Sequence, residues 1–188
     1  MTMDDDDSAA SPLTESIEPA IPTASVTLDE ETQRSNQATA RRAKQILIEK
    51  TIGYRDVNEE ERATLAQAFA AAGYVIYGKA FDLIRISGTA VDLSDLPAVR
   101  EAVRKHQIVL IEVKATSVKA RGDDFCGHFF SMSTAELLVA QSLRELFRFV
   151  FVHTASGAHH EVTLRDVMRR AGAIYPTWSI RLDEGFAK

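Results

Sequence analysis

The sequence predicts an α/β protein, a mixed central sheet flanked by helices, and three observations carry that expectation. Gln107–Thr116 contains a continuous aliphatic run, Ile108-Val109-Leu110-Ile111, with no turn former in it. A β-branched run of this kind reads as a strand buried on both faces. Ser133-Thr134-Ala135-Glu136 is a capping box that opens an apolar helical pattern. Phe147–His153 is a second aromatic and β-branched run. A strand, a helix and a strand in this order make a right-handed crossover between parallel neighbours.

At 188 residues with 45% hydrophobic content, the chain is long enough for one buried domain and a tail. The formal charge of -5 is unevenly spread: nine of the 27 acids lie in residues 1–31, which contain no Lys or Arg. The other 18 acids face all 22 basic residues, so residues 32–188 carry a surplus of four positive charges. Residues 1–31 are expected to be a disordered acidic tail, and 32–188 a single domain. A mildly basic body is compatible with a polyanionic partner. The single cysteine, Cys126, excludes an internal disulfide framework and suits a reducing cytoplasm. There is no run of membrane-spanning length and no signal-peptide pattern at the N-terminus.

The elements follow in order. A helix is expected over 36–52, broken by Tyr54–Asn58. Asn58 and Glu61 form a cap for a helix over about 59–72, with Leu65, Phe69 and Ala72 on one stripe and Gly73 as its C-cap. Tyr74-Val75-Ile76-Tyr77, a turn at Gly78-Lys79 and Phe81–Ile86 read as a hairpin. Its second strand turns Phe81, Leu83 and Arg85 one way and Asp82, Ile84 and Ile86 the other. Residues 88–106 are an inserted segment containing a short helix opened by Asp95 and Pro97. The buried strand follows at 108–115, then a loop over 117–128. The helix over 135–147 is expected to bury Ala135, Leu138, Val139, Ser142 and Leu146. A helix from Thr163 to about Ala171 carries Arg165, Arg169 and Arg170, and a last strand is expected at Thr177–Leu182.

Chemistry concentrates at Asp82, Glu112 and Lys114. Glu112 and Lys114 are two apart, so the pleat sends both side chains to one face of a buried strand. Charges there are costly unless they pair, bind a cation or open onto a cleft. Two carboxylates on neighbouring strands form a hard oxygen site suited to Mg²⁺ or Mn²⁺. A lysine beside them orients or deprotonates a water, or stabilises the charge that develops on a phosphate. The competing readings are a salt-bridged strand end for Glu112 and Lys114, and a carboxylate bonded to the Gly78 turn for Asp82. Cys126 and His128 lack a second pair at zinc spacing, and His159-His160 fall in a Gly- and Ser-containing loop. His153 ends a strand as a structural residue, and Gly53, Gly73 and Gly78 fit no phosphate-loop fingerprint.

Phe81-Asp82, then Ile111-Glu112-Val113-Lys114-Ala115-Thr116, Phe129–Glu136 and Phe149-Val150-Phe151-Val152 together resemble the PD-(D/E)xK nuclease superfamily. That likeness covers roughly residues 59–153 and implies the restriction-endonuclease-like αβββαβ core. It implies that Asp82 and Glu112 hold a Mg²⁺ (or Mn²⁺) ion with the main-chain carbonyl of Val113, and that Lys114 is the catalytic lysine. Glu61 is the implied helix acid, and Glu136 or Gln141 the implied polar residue of the second helix. The sequence departs from the motif in having Phe81 in place of proline and in its long Asp82–Glu112 spacing. Apart from that likeness, Glu136 is also a helix cap, Gln141 a solvated position, and Arg165, Arg169 and Arg170 either a solvated face or a phosphate-contacting helix. The expected activity is hydrolysis of DNA phosphodiesters, RNA remaining open as a substrate, by a homodimer or by one subunit of a larger complex. The alternative is an inactive module of the same fold that binds nucleic acid or a partner protein.

Overall fold

The computed structural model describes residues 30–119 and 122–175. The acidic stretch up to residue 29 and the strand expected at Thr177–Leu182 lie outside them. Ten elements follow in order: α1 (Glu30–Lys50), β1 (Tyr54–Arg55), α2 (Glu59–Ala71), β2 (Leu83–Ile86), α3 (Leu96–Arg104), β3 (Ile108–Thr116), α4 (Thr134–Leu143), β4 (Phe147–His153), β5 (His159–Val162) and α5 (Leu164–Arg170). A single 3₁₀ turn, Arg144–Leu146, joins α4 to β4. Glu30 and Glu31, expected in the tail, open α1 instead.

The five strands form one sheet in the order β1-β2-β3-β4-β5. β3 and β4 are parallel, with α4 as the crossover, and the other neighbouring pairs are antiparallel. Each face of the sheet has its own core. On one, Ile84, Ile108, Leu110, Phe147 and Phe149 meet Leu65 and Phe69 of α2, Val99 and Val103 of α3, and Val139 and Leu143 of α4. On the other, Leu83, Val109, Ile111, Val113, Val150 and Val152 meet Ala43, Ile46 and Leu47 of α1. β3 alternates between the two cores, which is why its sequence is apolar without a break. Among the described residues no helix is long and apolar enough to cross a membrane.

The two capping boxes read from the sequence form as expected, while Asp95 precedes α3 without a side-chain capping bond. The Asn58 side chain accepts the Glu61 N–H, and the Ser133 hydroxyl accepts the Glu136 N–H. Each glutamate returns a bond to its cap's N–H, which satisfies backbone donors that a helix start leaves unpaired.

Six expectations are corrected. Tyr74–Tyr77 is not a strand: the Val75 N–H donates to the Ser142 hydroxyl of α4 at 2.7 Å. Arg62 holds the carbonyls of Gly78 (2.7 Å) and Phe81 (2.8 Å), and its guanidinium lies over the Phe81 ring. That anchorage to α2 removes the segment from the sheet, and Phe81 packs into the same core as Ile84, opposite to Leu83. The edge of β2 is instead taken by Tyr54–Arg55, expected as a break. Gly53, at φ +90°, turns the chain after α1, and its carbonyl accepts the Ile86 N–H.

His159-His160 is not a loop but the start of β5, paired with Phe151 and Val152. In α4 the buried positions are Val139, Ala140 and Leu143, while Leu138 is 52% exposed. The helix stops at Leu143, one turn short of expectation, because Arg144 takes φ +51°.

Candidate active site

β3 is where the sheet changes character, antiparallel to β2 on one side and parallel to β4 on the other. The carboxyl ends of strands are where open α/β sheets commonly hold their ligands. Glu112 and Lys114 lie at that end of β3. Their side chains continue the face of Ile108 and Leu110, Glu112 buried and Lys114 half-buried under the start of α4. β2 runs the opposite way, so Asp82, immediately before it, arrives beside them. Its N–H donates to the Ile111 carbonyl (2.7 Å), and its Oδ2 accepts the Val113 N–H (3.0 Å). A strand residue turns its N–H and C=O to the same edge, so the Val113 carbonyl shares that edge with Asp82.

Lys114 Nζ lies between two acids, donating to Glu112 Oε1 at 2.9 Å and to Glu136 Oε2 at 2.7 Å. Glu136 therefore has two roles: it closes the α4 capping box and holds Lys114. The start of α4, where backbone N–H groups point outward, also favours its negative charge. Asp82 Oδ1 is paired with Lys44 Nζ of α1 at 2.6 Å.

The electrostatics are those of crowded carboxylates. Burial, and after it the negative charge of Asp82, push the Glu112 carboxyl up to about 8, against the opposing pull of Lys114. For Lys114, burial acts to lower the pKa, but Glu112 and Glu136 outweigh it and the ammonium is raised. Among the described residues no three His, Cys, Asp or Glu side chains converge as a metal-ligand set. The donors present are two carboxylates and a carbonyl, all hard oxygens. They fit Mg²⁺ or Mn²⁺, which keep several waters and need few protein ligands.

The structure thus brings together Asp82, Glu112, Val113, Lys114 and Glu136. Two other candidates are occupied elsewhere. Glu61 is committed to its helix cap and to an ion pair with Arg55 of β1. Gln141 is exposed and lines a cleft with Gly73, Tyr74 and His106, at the opposite end of β3 from Lys114. Arg165, Arg169 and Arg170 lie exposed on α5, the last two paired with Asp166.

Two features were missed in the sequence. Lys44 borders the buried stripe of Ala43 and Leu47, and that position was the available signal. Glu161 of β5 receives the Tyr54 hydroxyl, Arg85 (3.0 Å) and Arg148 (3.5 Å), clamping four strands on the α1 face. Burial and Glu161 both raise the Tyr54 hydroxyl pKa, so this tyrosine is a donor in the clamp. Comparison with protein families, curated proteins and solved structures returned no match.

Proposed function

We propose that the chain is a metal-dependent nuclease of the restriction-endonuclease-like class that hydrolyses DNA phosphodiester bonds. The observation that carries this reading is Asp82 seated against Val113, beside Glu112, with Lys114 held between Glu112 and Glu136. The order of elements supports it in part. The core expected over 59–153 lacks its strand at 74–77, and the order αβββαβ is recovered only over 30–153, with the two-residue β1 as first strand and α2 and α3 as insertions.

Asp82, Glu112 and the Val113 carbonyl would hold Mg²⁺ or Mn²⁺, which when bound polarises the scissile phosphate and lowers the pKa of a bound water. Lys114, kept protonated by its two acids, donates hydrogen bonds. It positions the attacking water and stabilises charge developing on the phosphate, and does not act as a base. Glu136 fixes the direction of Lys114. At full ionisation the three acids and two lysines of the site sum to one negative charge. A divalent cation inverts that sign and makes the site attractive to a phosphodiester.

The test is Mg²⁺- and Mn²⁺-dependent cleavage of supercoiled plasmid, with Glu112→Ala alongside. Cleavage that is metal-dependent and absent in the variant supports the nuclease. Absence of cleavage together with absence of metal binding by calorimetry rejects it.

One observation favours a second reading, a module of the same fold that binds nucleic acid or a partner without chemistry. Lys44 already neutralises Asp82, and a chain that never binds metal would retain that pair.

A further inference from the structure

The surface next to Lys114 is aromatic. Phe151 of β4 is the cross-strand partner of Lys114. Phe130 packs edge-on against Phe151, ring centroids 4.8 Å apart, and Phe125 and His128 lean on the same ring. These rings are half-buried and pack among themselves. Phe129 and Tyr175 differ. Their centroids are 6.4 Å apart at 49°, yet Phe129 is 73% and Tyr175 65% exposed. Exposed aromatic rings grouped on one surface are unfavourable in water and mark a contact site.

The charge around them indicates the occupant. Tyr175 follows the end of α5 by five residues, and α5 presents Arg165, Arg169 and Arg170 to solvent. Asp166 is shared by Arg169 and Arg170, so this helix keeps a positive surplus. α5 also packs on α4, which begins five residues after Phe129. Exposed rings beside unbalanced arginines form the combination that takes bases on their π-faces and phosphates on their cations. A paired duplex hides its base faces, so rings of this kind gain contact only with unpaired nucleotides.

We infer that Phe129 and Tyr175 form a stacking platform for unpaired nucleotides, with the α5 arginines as its phosphate contacts, leading a single strand to Lys114. This inference rests on the nuclease reading for its place beside the reacting centre, but its test reads binding and not cleavage.

The experiment is fluorescence anisotropy of labelled oligo-dT, oligo-rU and a DNA duplex, in EDTA, with the full chain. Wild type should bind one of the single strands more tightly than the duplex, and the preferred one assigns DNA or RNA. Phe129→Ala and Tyr175→Ala should each weaken that binding by about five- to a hundredfold, with duplex binding changed less than about twofold. Phe129→Trp should keep it, which separates stacking from a folding defect. Arg169→Ala should weaken single strand and duplex alike and flatten the salt dependence.

Unchanged single-strand affinity in the Phe129→Ala, Tyr175→Ala double variant overturns the platform. So does loss of a dimer in that variant by sedimentation with oligonucleotide binding intact, which would assign the surface to a second copy of the chain. If plasmid cleavage proves metal-independent while Phe129→Ala still loses the single strand, the platform stands and the nuclease reading falls.

Discussion

Lys44 Nζ lies 2.6 Å from Asp82 Oδ1, so a cation from α1 already occupies one of the two carboxylates of the site. Both side chains are about 30% exposed, and a pair in that setting contributes up to about 1 kcal/mol. A divalent ion must displace it. Lys44→Met is therefore expected to tighten Mg²⁺ or Mn²⁺ binding by up to about fivefold in calorimetry. Weaker binding in the variant would show instead that Lys44 helps to assemble the acids.

Glu112 makes the metal-free fold pH-dependent. Its carboxyl stands at about 8 in the folded chain, against 4.5 for an unperturbed glutamate. The folded state thus holds this proton more tightly than the unfolded one. The stability it contributes is fully present below about pH 4.5 and is lost as pH rises through 8. Glu112→Gln removes that loss. In chelator the variant should be more stable than wild type at pH 9 by about 2–4 kcal/mol, and equal to it near pH 4.5. Urea midpoints across this range decide it, and a pH-independent difference would contradict the assignment. The same substitution should abolish metal binding.

Glu136 can be divided into its two roles. Glutamine still closes a capping box, so Glu136→Gln should leave thermal stability nearly unchanged while weakening the hold on Lys114 and slowing cleavage. Alanine also loses the bond returned to the Ser133 N–H, while the Ser133 hydroxyl still accepts the N–H of residue 136, and should cost about 0.5–1 kcal/mol more in a urea titration. Equal stability of the two variants would mean that this returned bond contributes nothing.

Gly53 secures the edge strand. Its φ is +90°, and a Cβ there would come within 2.5 Å of the Ile86 carbonyl oxygen. Gly53→Ala is expected to cost about 2–3 kcal/mol. The Ile86 amide, bonded to the Gly53 carbonyl, should exchange faster with solvent than amides in β3 and β4. Uniformly faster exchange across the whole sheet would refute a local effect.

Removing Lys114 tests the centre of the site. Lys114→Ala leaves Glu112 and Glu136 facing each other without their cation, at a stability cost of about 3 kcal/mol. If cleavage proceeds by the proposed route, it should fall by orders of magnitude, beyond what the loss of folded protein measured by circular dichroism explains. Unchanged cleavage would remove Lys114 from the mechanism.

Local signals carried much of the architecture. The unbroken apolar run of Ile108–Ile111 identified the central strand, since only a strand covered on both sides excludes polar residues from both faces. The Asn58–Glu61 and Ser133–Glu136 pairs placed two helix starts, because capping is settled within four residues. Glu112 and Lys114 were legible together because a pleat fixes which side chains share a face. What lay beyond the sequence depended on contacts distant along the chain. Tyr74–Tyr77 has the composition of a strand, yet the Ser142 hydroxyl took the Val75 N–H, and Arg62 holds the chain just after it at Gly78 and Phe81. Tyr54–Arg55 has almost no pattern, yet Gly53 laid it along β2. His159-His160 became a strand because β4 offered an open edge. Lys44 met Asp82 only once α1 crossed the sheet. The sequence by itself determined the α/β class, the central strand and the two charges upon it, because these follow from periodicity and local hydrogen bonding. Which segments complete the sheet, and which cation faces Asp82, only the tertiary structure decided, because strand partners and ion pairs are chosen by whatever the folded chain brings within reach.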